Sequence, residues 1–315
     1  MQLIKNITET ISRVGRNTTY QKGANLDIDK AVIQLKNRGF VMLDHMVGNS
    51  QLAKIKASIN NKIEKDFELQ FPCLSQSKID FQRDKDLIEK NFLASNIQLS
   101  KRGLTFDRKD IKSYPQMLND FRPPTLTLPM PSELDYYQFW LDPIVISIVS
   151  AYIGFNPHMT EAYVRRNFPS DFKVMNFNWH RDTNHHKYLV KAFIFFTDCD
   201  IQRGAHHYIA GSIQDPRFRD KTYFSDDEVH AVWPFGSKDH MISKVPAGTI
   251  IIEDTRGLHK AGIPQKDYRD LGYAIFTPPN FFRRSKPLYH IAQSTFDRLS
   301  DEQKDFIPYA NILNG

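Results

Sequence analysis

The sequence predicts a mainly β protein with flanking helices, and two observations carry that reading. Short apolar segments recur at 159–166, 173–179, 189–197, 205–210, 241–245, 249–253 and 271–277. Turns containing Pro, Gly, Asp and Ser separate them, and no helical periodicity intervenes. Helical patterns are confined to the two flanks. Seven or eight short strands in succession without helices between them indicate a sandwich or jelly roll.

Taken in order, residues 1–25 are polar and read as a loosely attached arm. Asp27 or Asp29 can cap a first helix whose apolar positions Ile28, Ala31, Val32 and Leu35 keep helical spacing, with Gly39 as its stop. Phe40-Val41-Met42-Leu43 reads as a short strand, and a second helix follows with Leu52, Ile55, Ile59 and Ile63 on one face. From about Gln70 to Pro131 the pattern dissolves into an excursion with a proline-rich exit. Segments of that kind are either binding loops and lids or variable surface. Ser132 caps a helix through Leu134 and Trp140. Asp142-Pro143 starts another, with Pro at the first helical position, Gly154 at the stop and Ile144, Ile148 and Tyr152 as the face against the sheet. After the strands, Ser300 and Gln303 form a capping box for a helix near 300–306. The expected organisation is one structural domain. Residues 1–156 form a helical part and excursion packing on the core, 157–280 the β core, and 281–315 a C-terminal extension.

Composition bounds the function. The 315 residues are 41% hydrophobic and 25% charged, ordinary for a soluble globule with a sizeable core. Two cysteines, Cys73 and Cys199, fit neither a disulfide framework nor a zinc knuckle and suggest a reducing compartment. Met1-Gln2-Leu3-Ile4-Lys5-Asn6 lacks the apolar stretch of a signal peptide, and no apolar run is long enough to span a bilayer. The expected location is the cytoplasm. Net charge is +6 and the pI about 9.1, but the cations are scattered among acids and carry no nucleic-acid-binding signature. The excess fits an anionic small-molecule substrate, with no nucleic-acid partner.

The chemistry concentrates in Val174-Met175-Asn176-Phe177-Asn178-Trp179-His180-Arg181-Asp182. Read as a strand, it places His180 and Asp182 on one face and turns Arg181 away. A third ligand, His259, follows the apolar segment Thr249-Ile250-Ile251-Ile252-Glu253-Asp254 and a turn. Two histidines and one carboxylate with open positions make the facial triad of non-haem Fe(II) oxygenases. Asp182 and His259 lie 77 residues apart, which suits opposite sheets of a double-stranded β-helix, the jelly-roll, cupin-like form of the predicted core. His-Arg-Asp also opens a protein-kinase catalytic loop, which needs Asn five residues beyond the Asp. Lys187 stands there, and the chain has no Asp-Phe-Gly or glycine-rich phosphate loop, so that reading fails. Arg269 starts the strand Leu271-Gly272-Tyr273-Ala274-Ile275-Phe276. Buried, it offers a planar fork to a carboxylate; otherwise it is a surface arginine beside Asp267 and Asp270. His185, His186, His206 and His207 are further candidates, more plausible as solvated or core histidines than as ligands.

Together these features resemble the phytanoyl-CoA dioxygenase family of Fe(II)/2-oxoglutarate oxygenases. Gly39-Phe40-Val41, Leu141-Asp142-Pro143 through Gly154, and His180-Arg181-Asp182 stand in that family's order. So do Gly204-Ala205-His206-His207-Tyr208-Ile209-Ala210-Gly211-Ser212, Ala247-Gly248-Thr249, His259 and Arg269. The chain departs from the pattern at Ala210 (usually proline), at Ile213 (usually histidine) and at Ala261 (often serine). The resemblance implies that His180, Asp182 and His259 bind Fe(II) and that Arg269 grips the distal carboxylate of 2-oxoglutarate. Phe177-Asn178-Trp179-His180-Arg181-Asp182 is also similar to the F-x-W-H-x-D segment of ectoine hydroxylases. In that comparison Phe177, Tyr163 and Asn167 fall on positions that help hold 2-oxoglutarate, while Thr183-Asn184-His185-His186 replaces the substrate segment and speaks against ectoine. The expectation is an Fe(II)-, 2-oxoglutarate- and O2-dependent hydroxylase of a small anionic or polar metabolite, free or carrier-linked. The alternatives are a cupin-type metalloenzyme and a non-catalytic binding protein on the same fold.

Overall fold

The computed structural model describes residues 27–65, 125–129, 134–169, 175–182, 189–279 and 289–313. The N-terminal arm, the excursion up to residue 124, the cap at Ser132 and the histidines His185 and His186 lie outside the described residues.

Helix α1 (Ile28–Arg38) starts on Asp27, whose side chain accepts from the Lys30 amide, and ends on Gly39 in the left-handed region at φ 88°. Of the two candidate caps, Asp27 is therefore the one used. Strand β1 (Phe40–Leu43) and helix α2 (Asn49–Lys65) follow, with Leu52, Ile55 and Ile59 buried as their spacing predicts. Strand β2 (Thr125–Pro129) lies where the sequence reads only irregular chain, and it pairs antiparallel with β3 (His158–Asn167). Helices α3 (Leu134–Trp140) and α4 (Pro143–Ile153) separate them. Asp142 caps α4 and Gly154 stops it at φ 94°. The buried face of α4 is broader than expected, because Val145, Ile146, Ile148, Val149 and Ile153 are covered while Ile144 and Tyr152 are only half-buried.

The remaining strands are β4 (Val190–Phe195), β5 (His206–Ile209), β6 (His240–Ile242), β7 (Ile250–Asp254), β8 (His259–Ala261) and β9 (Arg269–Thr277), with a short helix α5 (Asp226–His230) between β5 and β6. They assemble into a six-stranded sheet ordered β1-β7-β4-β9-β3-β2 and a three-stranded sheet ordered β6-β5-β8. This is the expected β architecture, two antiparallel sheets face to face as in a jelly roll, with helices on one flank.

Alternation along the strands decides what each face does. On β9, Ala274 and Phe276 join the core beneath α1, α3 and α4, while Leu271 and Tyr273 face the second sheet. Gly272 lies on the helix-side face, where a Cβ would come within 2.8 Å of the Trp140 ring. A buried ion pair ties the same outer face together: Arg166 on β3 grips both carboxylate oxygens of Asp270 at 2.7 Å and reaches Asn60 on α2 at 2.6 Å. The inner layer holds Phe40, Tyr163, Phe193, Phe195, Tyr208, Ile251, Leu271 and Tyr273.

The C-terminal part packs on the helix-side core through Tyr289, Ile291, Phe296, Leu299, Phe306 and Ile307. A two-residue strand pair, β10 (Ile291–Ala292) with β11 (Ile312–Leu313), brackets two short helices, α6 (Gln293–Asp297) and α7 (Asp301–Asp305). The Ser300 and Gln303 capping box at the start of α7 forms as predicted. No helix among the described residues is long and apolar enough to cross a membrane.

Candidate metal centre

The segment before His180 differs from its expected conformation. Met175–Phe177 is a 3-10 turn, and only Trp179 and His180 make isolated bridges, to Phe224 and to His259. Strand alternation therefore does not place the site. Direct pairing does: the His180 amide donates to the His259 carbonyl at 2.9 Å, and the His259 amide returns the bond at 3.0 Å. The Asp182 amide donates to the Thr255 carbonyl at 2.9 Å. Three backbone bonds thus join residues 79 and 73 positions apart in the chain.

His180, Asp182 and His259 are the group of possible metal ligands among the described residues, with their donor atoms all within 4.8 Å of one another. Asp182 Oδ1 lies 3.5 Å from His180 Nε2, and Oδ2 lies 3.6 Å from His259 Nε2. The other ring nitrogens test whether the set suits a metal. His180 Nδ1 is 2.8 Å from the Asn178 carbonyl and His259 Nδ1 is 2.9 Å from the Gly257 carbonyl. A carbonyl can only accept, so each Nδ1 carries a proton and each Nε2 is the nitrogen turned to the centre. Burial and the neighbouring His180 keep the His259 imidazole neutral, well below its ordinary pKa. Burial pushes the Asp182 carboxyl up, but Lys191, His259 and His180 outweigh it and hold it ionised, well below the usual carboxylate range. Two imidazoles with their Nε2 atoms turned to one carboxylate form a donor set that suits a divalent cation.

Arg181 points away, as expected. Its guanidinium donates to the carbonyls of Phe218 (3.1 Å), Arg256 (2.7 Å), Asp215 (3.3 Å) and Arg217 (3.2 Å). It fastens the segment 215–218 to the site. Tyr223, farther along that segment and exposed, has its ring 6.1 Å from that of His180.

Arg269 is buried to 1% exposure on the inner face, opposite Asn167 in the β3–β9 register. Its Nη2 donates to Asn167 Oδ1 at 2.8 Å, whereas Nε and Nη1 have no hydrogen-bond partner. Asp270, its chain neighbour, belongs to Arg166 on the opposite face, so the surface reading of Arg269 fails. Burial lowers the pKa of Arg269. A buried guanidinium with two unused donor nitrogens fits a carboxylate ligand. The other basic residues after the site are otherwise placed: Arg256 grips Asp254, and Lys266 is exposed. Tyr163 lies on the same inner face, its ring 5.1 Å from Tyr273 and its hydroxyl donating to Glu161 at 3.3 Å. Phe177 is buried against Ala261, two residues beyond His259.

Of three further inner residues, Lys191 and Glu253 were not singled out by sequence, and His206 was named only as a less favoured ligand candidate. Lys191 on β4 pairs with Asp182. His206 on β5, inside the barrel, is 2.8 Å from Glu253 on β7, and its ring is 5.8 Å from that of His259. Burial drives the Glu253 carboxyl up and the His206 imidazole down to about 3. The signal was present: Val190-Lys191-Ala192-Phe193 and Ile250-Ile251-Ile252-Glu253 each set one charge inside an apolar strand. His207 takes the opposite side of β5 and packs near Trp179, 2.9 Å from His240. Neither His206 nor His207 joins the ligand cluster.

No family model and no curated protein matches the chain. Solved structures do. SnoK, described as a non-heme alpha ketoglutarate dependent carbocyclase from nogalamycin biosynthesis, aligns with a TM-score of 0.50 and 15% identity over 84% of this chain and 87% of its own. AviO1 from Streptomyces viridochromogenes Tue57 aligns with a TM-score of 0.50 and 15% identity over 82% of this chain and 97% of its own. The likeness is one of fold.

Proposed function

We propose that this protein is an Fe(II)- and 2-oxoglutarate-dependent oxygenase that uses O2 to hydroxylate a small anionic or polar metabolite, free or carrier-linked. One observation supports this most: a convergent His-Asp-His set and a buried guanidinium with unused donors share one barrel interior. SnoK, similar in fold, is described as alpha ketoglutarate dependent, which agrees with that reading.

In this reading His180, Asp182 and His259 hold the metal, while Arg269, braced by Asn167, receives the distal carboxylate of 2-oxoglutarate. Tyr163 and Phe177 complete the wall of the cosubstrate pocket. Iron with 2-oxoglutarate and O2 supplies the oxidising power, the cosubstrate leaving as succinate and CO2. The chain's own part is placement and exclusion. The carbonyls of Asn178 and Gly257 orient the imidazoles, and Phe193, Phe195, Leu271 and Tyr273 keep water from the inner wall. Asp182 supplies a carboxylate where related halogenases have a small residue, which favours hydroxylation.

Anaerobic addition of Fe(II) and 2-oxoglutarate is expected to give the weak visible charge-transfer band of the chelate, lost in His180→Ala. Absence of the band in metal-loaded protein overturns the assignment. A metabolite screen for succinate released above the uncoupled rate, with mass spectrometry for a product heavier by one oxygen, then identifies the substrate. A product lighter by two hydrogens changes the reaction to desaturation on the same site.

A further inference from the structure

Lys191 is a charge placed where the strand pattern calls for an apolar residue. On β4, Val190, Ala192 and Ile194 enter the helix-side core, while Phe193 and Phe195 face the barrel interior with Lys191. The lysine side chain is only 15% exposed, and its ammonium is 5.8 Å from the centre of the Tyr273 ring. An ammonium so far from bulk water needs a partner. Two acids are within reach of the inner face. Glu253 is the direct cross-strand neighbour of Lys191, and its Oε2 lies 2.8 Å from His206 while its Oε1 has no hydrogen-bond partner. Lys191 instead reaches across to the second sheet's ligand set and pairs with Oδ2 of Asp182.

We propose that Lys191 is a positioning residue that reserves one carboxylate oxygen of Asp182, so that the metal takes the other oxygen alone. Both oxygens face the imidazoles, Oδ1 at 3.5 Å from His180 Nε2 and Oδ2 at 3.6 Å from His259 Nε2, but only Oδ2 also carries the ammonium, which leaves Oδ1 as the oxygen free of a counter-charge. Single-oxygen donation keeps a coordination position open that a chelating carboxylate would fill. The ammonium also repels the cation, which keeps its affinity moderate. This inference rests on the metal-centre reading above.

The test uses Mn(II) as the probe, with Lys191→Met, Lys191→Gln and Lys191→Arg. Wild-type protein is expected to bind Mn(II) at a saturable site that Asp182→Ala loses. Lys191→Met is expected to bind it about tenfold more tightly, because a like charge beside the cation has gone. Water-proton relaxation of its Mn(II) complex is expected to report one fewer bound water, and Lys191→Arg to restore the wild-type value. Lys191→Gln carries the same expectation as Lys191→Met, should the latter melt early. Unchanged affinity and relaxation in both neutral variants overturn the proposal. So does weaker binding with an unchanged water count, which marks a merely structural lysine. If wild-type protein shows no Mn(II) site sensitive to Asp182→Ala, the metal-centre reading fails first and the role of Lys191 falls with it.

Discussion

At the scale of single residues, Arg269 and Asp270 show how much one position matters. They are adjacent in sequence and on opposite faces of β9, so one meets the barrel interior and the other meets Arg166. The Arg166–Asp270 pair is part of the fold; Arg269 is a buried cation with two donor nitrogens unused. Losing a buried charge-assisted partner typically costs about 2–5 kcal/mol of binding. Arg269→Met is therefore expected to weaken 2-oxoglutarate binding by about thirtyfold or more. The ligand-free melting temperature should hardly change, since a buried cation without a counter-charge contributes little to folding. Thermal melts with and without 2-oxoglutarate check both halves: ligand raises the wild-type melting temperature and leaves the variant's where it is. Gly257 makes a second residue-scale case. A Cβ there would lie 1.8 Å from the Tyr208 hydroxyl, which donates to the Asp254 carbonyl. Gly257→Ala is expected to displace Tyr208 or the turn that carries His259, and to weaken Mn(II) binding measurably in a titration.

At the scale of elements, Arg181 acts on a loop. Its guanidinium makes four bonds to the carbonyls of residues 215, 217, 218 and 256. The same segment continues to Tyr223 beside His180 and to the Phe224–Trp179 bridge. Replacing the guanidinium leaves several carbonyls without a donor, at about 1–3 kcal/mol for each that stays buried. Arg181→Met is expected to destabilise the protein by about 2–4 kcal/mol and to make the 213–219 segment the first site of proteolytic cleavage. Limited proteolysis with mass mapping tests this; cleavage elsewhere first would assign the anchoring to other contacts.

At the scale of the whole molecule, acid sensitivity follows from buried neutral histidines. Burial lowers His207 to about 2 and His240 to about 4, and the two rings share a 2.9 Å contact. Above pH 6.5 they are neutral folded or unfolded and cost nothing. Below it the unfolded chain gains protons that the folded one refuses, so stability falls by about 1.4 kcal/mol per pH unit for each histidine. Glu253 works the other way: its raised pKa adds stability below its ordinary 4.5 and withdraws it as pH rises. The comparison must therefore be between variants. His240→Gln is expected to lose less melting temperature than wild type between pH 7 and pH 5; parallel curves would show that His240 is free to protonate in the folded state.

The sequence by itself determined the local elements, because caps, periods and turns act over a few residues. Asp27 and Gly39 bound α1, Asp142 and Gly154 bound α4, and Ser300 caps α7, all as read from residue types. It also supplied the candidate ligand set, since two histidines and an aspartate are recognisable as residues. Tertiary structure decided what depends on partners distant in the chain. The segment before His180 turns instead of extending, because Met175–Phe177 pairs with no strand and Phe177 closes on Ala261. β2 becomes a strand only by pairing with β3. Lys191 pairs with Asp182, while Oε2 of its cross-strand neighbour Glu253 is held by His206, which arrives from the other sheet. No local signal encodes such a pairing, which emerges only when the two sheets close on each other and every buried charge must find a partner.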